Sequence, residues 1–192
     1  MLSELNVYHG ISRYVVRSRA LWAALGFCVL LLLGFYLARF WVGGVLLDEV
    51  SDPGVLLAML AEFSPHQLWV HIVATVGLDV VCPLAYSVLF SGLIIRGFGS
   101  YSPAVLVPLA VLVGFDLLEN VSQALLLLLT LVDATLGALE IIAVFKAQVT
   151  PIKFSMLYLT SAITVMAVAS IGAQKLLLLR RIGRAKHPQK QC

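Results

Sequence analysis

The chain has 192 residues, of which 61% are hydrophobic and 12% charged, with a formal net charge of +3. Soluble domains carry roughly 25% charged residues, so this composition excludes an ordinary water-soluble domain and points to a membrane protein. No stretch interleaves basic and aromatic side chains, which argues against nucleic acid as a partner. Cys28, Cys82 and Cys192 show no CxxC spacing, which argues against a disulfide framework or a zinc site.

The chain opens with a segment, residues 1–19, that carries Arg13, Arg17 and Arg19 and reads as a cytoplasmic interfacial stretch. It lacks an immediate apolar h-region and a small-residue cleavage site, so the first apolar run is expected to stay in the protein. Four runs reach the ~20 residues that a bilayer crossing needs. They lie at about 21–42, 67–95, 103–132 and 151–179, and predict an all-α, single-domain, four-transmembrane-helix bundle. Ser64-Pro65, Ser102-Pro103 and Thr150-Pro151 each set a capping hydroxyl before a proline, the pattern of a helix start. Asp52-Pro53 repeats it ahead of "GVLLAMLAEF", and Asp133 precedes "ATLGALEIIAVFKA". These two segments are expected as short interfacial helices in the outer loops. Residues 180–192 form a basic tail.

Charge sets the expected orientation. Arg13, Arg17, Arg19, Arg96, Lys175, Arg180, Arg181, Arg184, Lys186 and Lys190 fall on one side, and the opposite loops hold Asp48, Glu49, Asp52, Glu62, Asp133 and Glu140. Arg39, Lys146 and Lys153 are the basic residues on that acidic side, Arg39 reading as a side chain that snorkels to the headgroups or, as the lesser option, pairs with an acid. The positive-inside rule then places both termini in the cytoplasm. The expected location is a multi-pass position in a bacterial cytoplasmic membrane.

Ionisable groups inside a bilayer are rare, because burying one costs at least about 2.5 kcal/mol. The third run carries "FDLLENVSQ", whose Asp116, Glu119, Asn120 and Gln123 share one helix face at offsets of three and four. The second run carries a matching face of His71, Thr75, Asp79, Cys82, Pro83 and Tyr86. Pro83 removes a backbone hydrogen bond and frees the carbonyl around Asp79. Asp79 lies sixteen residues before the end of the second run, and Glu119 sixteen after the start of the third. At 1.5 Å per residue both sit about 24 Å from that end, level with one another if the helices are antiparallel neighbours.

Desolvation and mutual repulsion oppose three ionised acids in one dry site. At least one is expected to carry a proton at neutral pH, or a cation to be bound. The candidate catalytic residues are Asp79 as base, Glu119 as protonated acid and Asp116 as their tuner, with Asn120, Gln123, Tyr86 and His71 as candidate ligand-binding residues. An amphiphilic lipid- or isoprenoid-like molecule entering sideways between the spans is the expected ligand, bound or transformed by proton transfer. A proton- or cation-coupled carrier is the alternative, and its four spans would call for a homo-oligomer to achieve alternating access. A third reading is a non-catalytic membrane partner whose polar seam only joins helices, although Ser, Thr and Asn would do that at lower cost than carboxylates. HExxH, GxSxG, Walker and histidine-box signatures are absent, so no cofactor or metal is expected.

Overall fold

The computed structural model describes residues 14–42 and 44–186, with side chains described for all of these except residues 100 and 180–186. The N-terminal residues 1–13 and the tail residues 187–192, on which part of the charge asymmetry rests, lie outside the described residues. The described chain is all-helical, without a strand, and four of its helices are long and apolar enough to cross a membrane. This is the architecture of a multi-pass integral membrane protein.

Helix α1 is Ser18–Val42, and a 3-10 turn at Leu47–Glu49 leads to α2, Pro53–Glu62. Helix α3 is Pro65–Phe98, with a π-helical turn at Ala74–Asp79. Helix α4 is Ser102–Leu131, and α5 is Leu136–Lys186. Side-chain caps form where the Xaa-Pro signals predict them at two places. Asp52 accepts from the Val55 amide at 2.8 Å, and Ser64 and Gln67 form a reciprocal capping box.

The other two signals resolve differently. Ser102 is the first residue of α4 rather than a residue outside it. Thr150 and Pro151 lie inside α5, which runs unbroken for 51 residues. The segment "ATLGALEIIAVFKA", expected as a separate interfacial helix, is therefore mostly the first part of α5. The physical reason is that its lysine is neutralised within the protein, so the charge does not force the chain out of the apolar layer. The other loop helix, α2, turns Leu56 and Leu60 into a core shared with Leu47, Leu68, Leu126, Leu127, Leu139 and Ala143. That core ties α2 and the Leu47 turn to α4 and α5 at one end of the bundle.

Helices α3, α4 and α5 pack mutually, whereas α1 packs along α3 and makes no extended contact with α4 or α5. Small residues allow the closest approach. A Cβ placed on Gly97 would stand 2.6 Å from the Ala167 Cα, and the Ser170 hydroxyl donates to the Gly97 carbonyl at 3.1 Å. Thr160 and Thr164 continue the buried face of α5, small side chains that let helices pack closely. Arg96 ends α3 by donating to the Val16 carbonyl, at 2.6 Å through Nε, and to the Ser18 hydroxyl at 3.0 Å. The start of α1 and the end of α3 are therefore neighbours, as antiparallel packing requires. With α1 packed along α3, a space opens between α1 and the face of α4 and α5.

Candidate functional site

The site grows from the junction of α3 and α4. Pro83 has no amide to offer the Asp79 carbonyl one turn earlier, and its ring crowds that carbonyl. The helix answers by widening into the π turn at Ala74–Asp79, a form that recurs at functional sites. The freed carbonyl accepts instead from Asn120 Nδ2 at 2.7 Å. One turn along, Gln123 Nε2 donates to Thr75 Oγ1 at 2.7 Å, and one turn the other way Tyr86 Oη donates to Asp116 Oδ2 at 2.7 Å. These three cross-links give α3 and α4 an antiparallel register in which Asp79 and Glu119 are level, as the residue counts predict.

Two residues that the sequence places in the outer loops complete the cluster. Lys146 and Lys153 sit with Thr150 on one face of α5, at offsets of four and seven residues. The Lys146 side chain has no exposed surface, and its Nζ donates to the carbonyls of Leu47 and Val50 at 3.0 Å and to Glu119 Oε1 at 3.2 Å. Lys153 Nζ stands 2.9 Å from Asp48 Oδ1, 2.9 Å from Asp116 Oδ1 and 2.6 Å from Glu119 Oε2. The single Thr150 hydroxyl proton has two acceptors within reach, the Glu119 carboxylate and the Lys146 carbonyl. An ammonium carries three N–H donors, so Lys146 meets an acceptor for each of its protons, and Lys153 donates to Asp48 with two further carboxylates at ion-pair distance. The positive charge expected as a bound cation or a shared proton is thus supplied in part by the chain itself.

Asp48, from the turn after α1 and in sequence only one of the acidic loop charges, is the fourth carboxylate of the cluster. Arg39 takes the lesser of its two expected options, pairing with an acid, Glu49, and donates from Nε to the Gly44 carbonyl at 3.2 Å. The signal that could have revealed the lysines was their spacing with Thr150. Thr150-Pro151 imitates a helix start, and that reading cuts the face in two.

Beside the cluster lies a cavity of about 540 Å³, bounded by α1, the turn after it, α3, α4 and α5. Its walls are apolar, with Leu25, Val29, Leu32, Leu89, Phe90 and Leu157 among them. Its polar surface comes from Asp48, Glu49, Asp79, Tyr86, Asp116 and Lys153. Asp79 is 7% exposed, and its carboxylate has neither hydrogen bond nor ion pair among the described residues.

The remaining candidates separate clearly. Glu119 is fully buried behind the two lysines and does not line the cavity. Asn120 and Gln123 hold α3 and likewise stand outside the lining. Tyr86 lines the cavity while donating to Asp116. His71 is 1% exposed and stacks on Phe63 with ring centroids 4.7 Å apart, away from the cavity lining. No group of His, Cys, Asp and Glu suited to a metal ion occurs among the described residues. No protein-family model, curated protein or solved structure gives a significant match to this chain.

Proposed function

We propose that this multi-pass membrane protein binds an amphiphilic small molecule in the cavity beside α1, tail against the apolar walls and head group at Asp79. The observation that carries this reading is the cavity's division into an apolar body and one charged end. Small-molecule sites have this form, mostly apolar with a few placed polar groups. Because α1 packs chiefly along α3, entry between α1 and α5 would leave the cross-linked α3–α4–α5 core in place. Asp79 is the acceptor presented to the head group, and Tyr86, Asp116 and Lys153 form the ordered polar floor around it. Glu119 serves as the anchor of both lysines rather than as the acid that meets the ligand.

A photoactivatable long-chain alcohol tests this in nanodiscs. Cross-links are expected on cavity residues of α1 and α3, with Leu32→Trp reducing them at least about fivefold by filling the apolar body. Labelling spread evenly over the lipid-facing surface, and unchanged by Leu32→Trp, would show that the cavity is ordinary lipid boundary.

A second reading draws on the unbroken run Tyr86–Asp116–Lys153–Glu119–Lys146. Such a run is suited to moving a proton across the bundle. It supports proton-coupled transport, for which acidification of vesicles holding the purified protein is the measurement.

A further inference from the structure

We infer that the head group taken by this cavity is a cationic hydrogen-bond donor, a protonated amine, rather than a neutral or anionic one. The inference rests on the reading above that the cavity holds an amphiphile, and it adds the chemistry of the head.

It follows from a census of donors and acceptors at the charged end. Lys153 is surrounded by Asp48, Asp116 and Glu119 within 2.9 Å. Lys146 is occupied by two loop carbonyls and Glu119. The Tyr86 hydroxyl has its proton on Asp116, and Asn120 Nδ2 is directed to the Asp79 carbonyl rather than to the carboxylate. Arg39, the nearest further cation in sequence to this turn, is paired with Glu49. Among the described residues, every strong donor around the cavity's charged end therefore has a partner. What remains available is an acceptor, the carboxylate of Asp79, which is more than nine-tenths buried and lines the cavity without a partner.

Charge points the same way. The cluster joins four carboxylates, Asp48, Asp79, Asp116 and Glu119, to two ammonium groups, Lys146 and Lys153. A phosphate or carboxylate head would find no unoccupied donor and would add to the excess of acids. Burying an unpaired charge is costly, and an opposite charge at hydrogen-bond distance removes most of that cost. An ammonium group at Asp79 supplies both the missing donor and the missing positive charge. The apolar walls select an alkyl chain behind it over a bare inorganic cation.

The test compares three probes of one chain length, dodecylamine, dodecanol and dodecanoate, binding to the full chain in phosphatidylcholine nanodiscs, with empty nanodiscs as the partition control. The amine is expected to bind at least about tenfold more tightly than either of the others. Asp79→Asn, which keeps the side-chain shape, is expected to erase that preference, so that the amine binds the variant no more tightly than dodecanol does. Equal affinity for the three probes, or preference for dodecanoate, would overturn the assignment of the head group while leaving the amphiphile cavity intact. Failure of all three to bind above the empty discs would overturn both. The comparison within the unmodified protein stands even where the Asp79→Asn variant folds poorly.

Discussion

Around Lys153, three carboxylate oxygens from Asp48, Asp116 and Glu119 converge on one buried ammonium, while Asp79 lies in the same bundle with none. The two situations separate architecture from ligand binding. Removing one partner of a buried ion pair costs about 3–5 kcal/mol, because the remaining charges are left uncompensated. Lys153→Met is accordingly expected to destabilise the protein by that order, read as a large fall in the detergent-solubilised unfolding temperature. Asp79→Asn replaces a buried carboxyl group that no protein group pairs with, so it is expected to leave that temperature unchanged or raised. A strongly destabilised Asp79→Asn protein would mean that Asp79 holds helices together. The carboxylates were legible in the sequence because three-and-four spacing within apolar runs admits one face only. Their lysine partners were not, because Lys146 and Lys153 flank a Thr-Pro pair that resembles a cap, and hydropathy alone assigns such charges to loops.

At the level of the helices, Pro83 and Asn120 act as one device. The proline withholds an amide from the Asp79 carbonyl, the π turn re-aims that part of α3, and Asn120 from α4 supplies the missing donor at 2.7 Å. Leaving a buried carbonyl unsatisfied costs about 1–3 kcal/mol. Asn120→Leu is expected to cost about that much in unfolding experiments, and less by at least ~0.5 kcal/mol when Pro83→Ala has restored the amide. Strict additivity of the two substitutions would show that the carbonyl does not couple them. The proline's effect was visible from its position four residues after Asp79, but the group that answers it was not, since only the register of α3 on α4 selects Asn120. The four long helices were likewise visible from hydropathy. The continuity of α5 was not, because the burial of Lys146 is a tertiary effect that no local pattern records.

Taken whole, the bundle is asymmetric in its packing. Helices α3, α4 and α5 are cross-linked by buried hydrogen bonds and ion pairs, and α1 rests along α3 with the cavity at its side. Lys146 draws the Leu47–Val50 turn onto α5, so the end of the cavity is closed by the segment that also contributes Asp48. This division gives a rigid polar floor and a wall held by fewer contacts, an arrangement suited to admitting a molecule from the side. An experimental density map of the protein in lipid nanodiscs supplied with dodecylamine tests that account most directly. The expected result is elongated density along Leu32 and Leu89, ending within hydrogen-bond distance of the Asp79 carboxylate. A collapsed, dry seam between α1 and α5, or a file of water running from Asp79 to both faces of the membrane, would contradict it.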